Sequence, residues 1–256
     1  MTRKCFYIED VEADGGLIPL DSRLAHQIEG VLRMRPGDFV EVRDGKGGGW
    51  KAAIEDAGGG KLGVRLLEKQ HLHVESPVEL TLALAFSRAD RMETVVRQAT
   101  ELGVHRFVTF RAQRSQYGLS GPQAEKRVER WSKIAREALC QCGRTRVPEM
   151  TVFSGIDEFR NRVPDWGSEA GGTLRILACE EKCEANLHVL RREHPACGRV
   201  LAVVGPEGGW TAGELDLLNG SGFRSVHMGP RILRLETAAI ALLSLIQLLW
   251  GDFGDQ

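Results

Sequence analysis

The chain has 256 residues, 42% of them hydrophobic and 27% charged, with a formal net charge of −1. This length suits one large or two modest domains, and a charge so near zero excludes a generic polyanion-binding protein. The charge is uneven, however, at +4 between residues 73 and 150 against −1 before and −4 after that segment. A basic face in the middle third would suffice to hold a structured nucleic acid through a few phosphate contacts.

The cysteines and the two ends of the chain indicate the compartment. The six cysteines are irregularly placed and lack the two spaced pairs of a zinc site. Residues 1–8 lack the apolar core of a signal peptide, and the apolar C-terminal segment is shorter than a membrane span and contains Gln247. We therefore predict a cytoplasmic protein with reduced thiols, no metal and no membrane contact.

Residues 1–72 predict a small β-rich domain. Apolar residues recur at helical spacing over residues 21–32, behind Asp21 or Ser22 as the N-cap. Short runs of strand-forming residues, separated by glycine-containing turns, predict strands at residues 5–8, 39–43, 50–57 and 62–69. A short β-barrel is the predicted arrangement of these strands.

Residues 73–256 show alternating strands and helices, a pattern that predicts parallel strand pairing. The predicted strands are residues 78–86, 104–110, 150–153, 174–179, 200–204 and 223–228. The predicted helices are residues 92–102, 123–142, 185–192 and 236–250, with another that opens at Thr211. Gly103 and Gly143 are placed to end helices, and the glycine-rich residues 167–173 predict a surface loop.

Two loops at predicted strand ends are candidates for a ligand site, since open α/β sheets bind ligands there. The first reads Gly205-Pro206-Glu207-Gly208-Gly209 and precedes a helix in which Thr211 and Glu214 have the spacing of a capping box. The second, residues 228–234, reads Met-Gly-Pro-Arg-Ile-Leu-Arg and precedes the most apolar helix of the chain. Neither loop has the signature of a nucleotide-phosphate loop.

Charge narrows the choice of ligand for these loops. Glu207 would repel a phosphate, so the first loop suits a neutral or cationic ligand with hydroxyl groups. In the second loop Arg231 and Arg234 flank two apolar residues, an arrangement that suits an aromatic ring and also attracts a polyanion. The alternative is that both loops are ordinary turns, with Arg234 and Glu236 forming a surface ion pair.

The two loops together carry a family resemblance. GPEGG followed by a Trp-Thr-x-x-Glu run, and then MGPRILRLETA, resembles the signature of the RsmE family, SPOUT-class methyltransferases that modify the N3 of a uridine in 16S ribosomal RNA. QATELGVHRF and REALCQCGRTRVP are also similar to family segments. The resemblance implies a knotted parallel-sheet α/β domain at residues 73–256 that binds S-adenosylmethionine. It also implies a PUA-like, RNA-binding β-domain at residues 1–72, and a homodimer.

The resemblance also implies roles for individual residues. Around S-adenosylmethionine it places Leu177, Ala178, Gly205, Pro206, Glu207, Gly208, Gly209, Met228, Gly229, Arg231, Ile232, Leu233, Thr237 and Ala238. Its RNA-binding candidates are Arg33, Arg35, Arg88, Arg114, Gln141 and Arg144. Arg33 and Arg35 are equally compatible with simple exposure to solvent. Arg88 stands where the family usually has Lys, and an arginine stays protonated and cannot act as a base.

The implied chemistry requires loss of the N3 imide proton and an in-line approach of N3 to the methyl group. Positioning should supply most of the acceleration, and the target base must leave its stack. Arg144 and Arg234 are the candidates to stabilise negative charge on the carbonyl oxygens of the base. Glu207 or Glu236 would orient groups or assist deprotonation, although a charge that complements the helix dipole is the simpler interpretation of Glu236.

Two functions of different classes follow from these observations. The first is an S-adenosylmethionine-dependent methyltransferase that acts on 16S ribosomal RNA, either free or in the assembled small ribosomal subunit. The second is a non-catalytic RNA-binding or ribosome-assembly module that retains the same pocket. Methyl transfer to ribosomal RNA discriminates between them, whereas cofactor binding alone does not.

Overall fold

The computed structural model describes residues 4–9, 11, 16–118, 121–162, 172–180, 183 and 185–254. The chain divides into two compact units. The first comprises Met1–Glu75 and Arg136–Val147, and the second comprises Ser76–Ala135 and Pro148–Gln256. The first break between the units lies three residues after the predicted boundary at residue 72, and residues 136–147 group with the first unit; the division into domains at residues 1–72 and 73–256 stays a prediction. Backbone hydrogen bonds from Gly47 to Thr145 and from Val147 to Gly45 make this long-range connection.

The first unit is built on one five-stranded sheet. Its strands are β1 (Cys5–Tyr7), β2 (Leu17–Pro19), β3 (Phe39–Arg43), β4 (Gly49–Asp56) and β5 (Leu62–Lys69). They have the order β1-β3-β4-β5-β2, in which β1 and β3 are parallel and the other neighbours are antiparallel. Alternate residues along β4 are buried, so one face of the sheet packs on a core that includes Trp50 and Ile54.

A short helix completes this unit. Helix α1 (Ser22–His26) continues as a π-helical turn at Gln27–Val31. Its N-cap is Asp21, whose carboxylate accepts a hydrogen bond of 2.7 Å from the backbone N–H of Leu24. The buried Ile28 joins the apolar core of the sheet. The predicted helix is confirmed, and of the two candidate caps the structure uses Asp21.

The second unit contains a six-stranded sheet in which all strands are parallel. The strands are β6 (Glu79–Ala85), β7 (Arg106–Phe110), β8 (Glu149–Phe153), β9 (Leu174–Cys179), β10 (Arg199–Val204) and β11 (Arg224–His227). Their order is β11-β9-β10-β6-β7-β8. The two central strands, β6 and β10, are buried almost throughout. Burial on both faces explains why their sequences are continuous apolar runs.

Helices connect these strands. They are α2 (Ala89–Glu101), α3 (Pro122–Cys142), α4 (Ile156–Arg162), α5 (Leu187–Glu193), α6 (Ala212–Gly220) and α7 (Leu235–Trp250). Gly103 and Gly143 follow α2 and α3 with φ of 81° and 88°, as predicted for residues that end helices. Among the described residues, no helix is both long enough and apolar enough to cross a membrane. No disulfide joins any of the six cysteines, all of which are described.

The predicted elements are present in the described part of the chain, with boundaries that differ by a few residues. Two short elements were not predicted. Strand β2 has three residues and ends in a proline, and α4 has only seven residues, so neither is long enough to show a period. Of the predicted loop at residues 167–173, residues 167–171 lie outside the described residues.

One buried polar side chain fixes the position of α7. Gln247 is 1% exposed, and its Nε2 donates a hydrogen bond of 2.6 Å to the carbonyl of Leu102, just after α2. Its Oε1 accepts a hydrogen bond of 2.9 Å from the hydroxyl of Ser76. Since a buried amide is costly unless it is hydrogen-bonded, these two bonds select one placement of α7 against α2. That placement also locates the loop from which α7 emerges.

We expect Gln247→Leu to lower the free energy of unfolding by about 1–3 kcal/mol, because the carbonyl of Leu102 and the hydroxyl of Ser76 would lose their partner. Urea unfolding measures the change. Gln98→Leu is the matched control on the exposed side of α2, and it should change stability by no more than about 0.5 kcal/mol. Equal stability of the Gln247→Leu variant and the unsubstituted protein would show that these bonds do not secure the helix.

Candidate functional site

The strand order brings both candidate loops to one edge of the sheet. Strands β10, β9 and β11 are neighbours, and all three are parallel, so their carboxyl ends lie side by side. We call residues 205–210, which follow β10, the acidic loop, and residues 228–234, which follow β11, the basic loop. Both therefore leave the sheet at the position where α/β folds bind ligands.

The two loops form a single cavity of about 430 Å³. Most of the acidic loop and the basic loop lines it, together with the ends of β9, β10 and β11 and the first turn of α7. Four arginines and two glutamates contribute charge to the lining, namely Arg91, Arg114, Arg231, Arg234, Glu180 and Glu207. The volume lies in the range of small-molecule sites, roughly 300–1,000 Å³.

The indole of Trp210 fixes the acidic loop to the sheet. Its Nε1 donates a hydrogen bond of 3.0 Å to the carbonyl of Ala178, at the end of β9, and its ring stacks on Phe110 at 6.3 Å between centroids. The indole also covers Gly205, where an added Cβ would lie 2.7 Å from Trp210. Glycine is therefore required at position 205 by close packing, and not by phosphate binding.

Two further groups hold the acidic loop. The Nη1 of Arg114 donates hydrogen bonds to the carbonyls of Gly208, at 3.1 Å, and Trp210, at 3.3 Å. The predicted capping box at the start of α6 is confirmed, with Thr211 and Glu214 bonded reciprocally. The other carboxylate oxygen of Glu214 accepts a 2.7 Å bond from the backbone N–H of Gln113. The loop after β7 thus supports the acidic loop through Arg114 and Gln113.

The carboxylate of Glu207 is held by only one of its oxygens. Oε1 accepts a hydrogen bond of 2.8 Å from Nη1 of Arg91 and another from the hydroxyl of Ser87. Oε2 accepts no hydrogen bond from any described residue. Glu207 is therefore fixed in place while one oxygen stays available to a ligand in the cavity.

Arg91 also faces a second carboxylate. Its Nε lies 3.9 Å from Oε2 of Glu236, in the first turn of α7. That oxygen is buried and has no hydrogen-bond partner in the described part of the chain. Arg91 thus forms one close ion pair with the acidic loop and one longer ion pair with the first turn of α7.

The basic loop presents its side chains outward. Gly229 has φ of 105°, a conformation that glycine adopts without strain. Ile232 is 81% exposed, and Arg231 and Arg234 are exposed on either side of it. Neither arginine forms an ion pair with a described residue. The loop therefore offers two uncompensated cations around an exposed aliphatic side chain.

The predicted cofactor residues are largely brought together by the structure. All of them line the cavity except Leu177 and Thr237. Leu177 lies in the apolar core beneath the cavity, and Thr237 is exposed on α7. Among the catalytic candidates, Glu207 and Arg234 line the cavity, whereas Glu236 does not and reaches it only through its ion pair with Arg91.

Arg144, predicted as both a catalytic and an RNA-binding residue, has a different environment. It lies in the first unit, is 3% exposed, and is absent from the cavity lining. Its Nε and Nη2 donate to Oε2 of Glu75 at 2.9 and 2.7 Å. The other oxygen of Glu75 accepts from the backbone N–H groups of Thr145 and Arg146 at 2.7 and 3.1 Å. These contacts make the arginine a structural partner of Glu75 in the described conformation.

This ion pair alters the titration of Glu75. Burial would raise the pKa of its carboxyl, but the hydrogen bonds and charge of Arg144 and the two backbone N–H groups outweigh that effect and hold the pKa below its usual range. The ionised carboxylate is therefore stabilised by folding.

The other RNA-binding candidates are dispersed. In the first unit, Arg33, Arg35 and Gln141 are exposed, and Arg33 has φ of 54°, an uncommon value for a residue with a side chain. In the second unit, Arg88 is exposed and pairs with Asp90 at 3.1 Å. Arg114 lines the cavity, where its guanidinium is bonded to the acidic loop.

Sequence reasoning did not select Ser87 or Arg91. Both lie in the stretch SRADRME, four residues apart, which places them together where β6 leads into α2. Their proximity to Glu207 depends on β6 being the neighbour of β10 in the sheet. That adjacency is a property of strand order, and no local signal in the sequence gives it.

The described residues include no cluster of three or more His, Cys, Asp or Glu side chains that could hold a metal ion. The cavity lining includes Cys179 and His227 from neighbouring strands.

Comparisons with known proteins agree with this geometry. Residues 74–247 match the family model of the RNA methyltransferase domain, and residues 31–67 match that of the RNA methyltransferase PUA domain. A Bacillus subtilis protein named ribosomal RNA small subunit methyltransferase E is 31% identical over 235 residues, or 89% of this chain and 90% of the relative. The chain belongs to the ribosomal RNA small subunit methyltransferase E family. This confirms the resemblance seen in the two loop motifs.

Solved structures of the family are similar over nearly the whole chain. That of the Neisseria gonorrhoeae methyltransferase E, bound to S-adenosylmethionine, has a TM-score of 0.84 and 30% identity, covering 98% of this chain and 99% of that one. A Legionella pneumophila putative methyltransferase, also in complex with S-adenosylmethionine, has a TM-score of 0.86 and 29% identity, covering 99% and 100%. The predicted fold class, a parallel-sheet methyltransferase domain with an N-terminal PUA-like domain, is confirmed.

We expect Glu75→Gln to lower the free energy of unfolding by about 3 kcal/mol at neutral pH, because it leaves the buried guanidinium of Arg144 without its anion. The pKa of Glu75 is lowered in the folded state, so the stability that its ionisation contributes is full above the ordinary glutamate value of about 4.3 and is lost as the pH falls through the folded-state pKa. The difference between the two proteins should therefore narrow in acid.

Urea unfolding at a series of pH values measures this difference. Glu68→Gln is the control, since Glu68 forms an exposed pair with Lys51 in the same unit and should contribute less than about 1 kcal/mol. A difference that stayed constant down to the acid limit would show that Glu75 is not ionised in the folded protein.

Proposed function

We propose that this protein transfers the methyl group of S-adenosylmethionine to N3 of a specific uridine in 16S ribosomal RNA. The observation that carries the proposal is the shared cavity, which is lined by the acidic loop after β10 and the basic loop after β11, the two parallel strands that flank β9. Relatives that match about nine-tenths of this chain are named ribosomal RNA small subunit methyltransferase E, and two solved relatives bind S-adenosylmethionine. The knot that the family resemblance implies stays a prediction.

The residues around the cavity fit S-adenosylmethionine. The ligand carries a positively charged sulfonium, an ammonium group and ribose hydroxyls, each of which suits the open Oε2 of Glu207 or the carboxylate of Glu180. Gly209 has φ of 70° and lines the cavity, where the absence of a side chain lets its backbone lie close to a bound ligand. When bound, S-adenosylmethionine supplies an activated methyl group. The groups that would hold it are mainly the loop backbone at Ala178, residues 205–209 and residues 228–233.

The chain's own residues must position the base and manage its charge. N3 must lose its proton to present a lone pair, so negative charge develops on the two carbonyl oxygens of the uracil, and this chain's residues have to stabilise that charge. The methyl group would come from the sulfonium, whose sulfur would keep the electrons of the broken bond and leave as a thioether. Arg234 is exposed at the cavity and forms no ion pair with a described residue, so it can donate to one of those oxygens. Oε2 of Glu207 is the carboxylate oxygen available to accept the imide hydrogen or to orient the base. Glu236 lies outside the cavity lining, and its negative charge in the first turn of α7 complements the helix dipole.

RNA binding uses exposed cations in each unit. In the first unit these are Arg33 and Arg35, and Gln141 offers a hydrogen-bonding amide. In the second unit they are Arg88 and the two arginines of the basic loop. The partner is 16S ribosomal RNA, free or in the small ribosomal subunit. An exposed Ile232 between Arg231 and Arg234 suits a splayed-out nucleobase better than a regular duplex.

A homodimer formed through α7 completes the proposal. Leu245, Leu248 and Phe253 are 38%, 55% and 54% exposed on or just after this helix. Large apolar side chains exposed near one end of a helix are typical of an interface. A second copy of the chain is the partner that the family resemblance implies.

The decisive experiment is methylation of ribosomal RNA from a strain that lacks the gene for this protein. Purified protein, S-adenosylmethionine and either free 16S RNA or small subunits are incubated, and the modified nucleoside is identified by mass spectrometry. We expect 3-methyluridine at a single position. Binding of S-adenosylmethionine without any methyl transfer to either substrate would favour the non-catalytic assembly module. Transfer to another atom would leave the methyltransferase assignment intact and contradict the N3 assignment.

We expect Arg234→Ala to lower kcat about a hundredfold, since it removes a donor to the developing oxyanion, while the free energy of unfolding changes by less than about 0.5 kcal/mol. Arg224→Ala is the matched control, because Arg224 is an exposed arginine of the same unit that pairs with Glu193. Activity of the Arg234→Ala variant within a few-fold of the unsubstituted protein would remove Arg234 from the mechanism.

We expect Leu248→Arg to convert the dimer to monomers in sedimentation experiments, because it would bury an unpaired charge in the interface. Leu67→Arg is the control, since Leu67 is 51% exposed on β5 in the first unit. A Leu248→Arg variant with the same sedimentation behaviour as the unsubstituted protein would show that this face of α7 is not the contact.

A further inference from the structure

The acidic and basic loops carry opposite charges around one cavity, yet they do not pair with each other. Glu207 directs Oε1 to Arg91 and Ser87, and Arg231 and Arg234 have no carboxylate partner among the described residues. No hydrogen bond joins residues 205–210 to residues 228–234 in that part of the chain. The distance between the acidic loop and the basic loop is therefore set by other parts of the chain.

Arg91 is placed to do so. It projects from the first turns of α2, lines the cavity, and is the described side chain that pairs with an acidic residue on each side: Glu207 in the acidic loop and Glu236 just after the basic loop. Helix α2 is itself fixed, because α7 is bonded to its C-terminal end through Gln247. The guanidinium therefore projects from a fixed helix and faces one carboxylate in the acidic loop and one just after the basic loop.

The two contacts use different atoms of the guanidinium. Nη1 bonds to Glu207 at 2.8 Å, whereas Nε faces Glu236 at 3.9 Å. The first is a charge-assisted hydrogen bond and the second is a longer-range attraction. The stronger link is thus to Glu207 in the acidic loop.

We propose that Arg91 is a positioning residue that holds Glu207 away from Arg231 and Arg234, and so keeps the cavity open and the two loop arginines available to the RNA. The inference rests on the proposed function for its ligands, but its mechanism is a property of the ligand-free protein. Without Arg91, Glu207 is an uncompensated carboxylate beside two uncompensated guanidinium groups. Opposite charges that line one partly enclosed cavity attract each other, so the loops would close on each other across the site.

The test uses this substitution together with a second one that removes the cause of the closure. Binding of S-adenosylmethionine is measured by calorimetry, without RNA and without turnover. We expect Arg91→Met to weaken binding at least about tenfold, because the open arrangement would no longer be pre-organised. Arg91→Lys should stay within about threefold of the unsubstituted protein, since an ammonium group can still pair with Glu207. Arg97→Met, an exposed position on the same helix, is the matched control and should not change binding.

The double variant Arg91→Met/Glu207→Gln decides between positioning and direct contact. The Glu207→Gln single variant is the reference, since Glu207 also faces the ligand. If Arg91 acts by restraining Glu207, Arg91→Met should cost little further affinity once Glu207 is Gln, so the double variant should bind about as well as Glu207→Gln alone. If Arg91 instead contacts the ligand, Arg91→Met should cost as much in the Glu207→Gln background as in the unsubstituted protein, and the proposal is wrong. Unchanged affinity in Arg91→Met would overturn it equally.

Hydrogen–deuterium exchange provides a readout that needs no ligand. We expect amide exchange in residues 205–210 and 228–234 to slow in Arg91→Met, as the loops pair, and to return towards the original rate in the double variant. Exchange that is unaltered in Arg91→Met, or altered but not reversed by Glu207→Gln, contradicts the proposal. If the unsubstituted protein binds no S-adenosylmethionine, the proposed function fails, whereas the exchange data still decide the role of Arg91.

Discussion

The open cavity depends on which partners bind the two carboxylate oxygens of Glu207. Oε1 of Glu207 accepts hydrogen bonds from Arg91 and Ser87 and from no residue of the basic loop, all of whose residues are described. The same carboxylate therefore serves the fold with one oxygen and faces a ligand with the other. If Glu207 paired with Arg231 or Arg234, that ion pair would fill the space that the ligand needs. In the proposed arrangement a third charge keeps the two oppositely charged loops apart. Arg91 supplies that charge by pairing with Glu207.

The sheet makes this arrangement possible by bringing distant parts of the sequence together. Strand β10 pairs with β9 on one side and with β6 on the other, so the acidic loop lies between the end of β9, where Trp210 is bonded to Ala178, and the start of α2, which carries Arg91. Each anchor comes from a neighbouring strand. Packing of the indole over Gly205 leaves no room for a side chain there, so the glycine is required by the anchor and only indirectly by the ligand.

The sequence was most informative where the signal is local. Periodicity located the long helices and the buried strands, and the spacing of Thr211 and Glu214 predicted the capping box that is observed. The loop motifs predicted most of the cavity lining, because those residues are contiguous in the chain. Arg91 was missed, since its role follows from the order of strands and not from its neighbours in sequence. The contacts of residues 136–147 with the first unit were not predicted for the same reason, as their pairing with Gly45 and Gly47 is long-range.

Arg144 shows why a motif match alone does not identify a catalytic group. It lies in the same matched segment as Gln141, yet the two side chains have opposite environments: Gln141 is exposed, whereas Arg144 is buried against Glu75 with Nε and Nη2 already donating. Releasing that guanidinium to meet a substrate would leave Glu75 with an unpaired charge, at a cost of about 3–5 kcal/mol for a buried pair. Arg234 carries no such cost, because it has no ion-pair partner among the described residues and already faces the cavity. Both arginines lie in equally strong motifs, but only Arg234 has no structural role, so only Arg234 is available for catalysis.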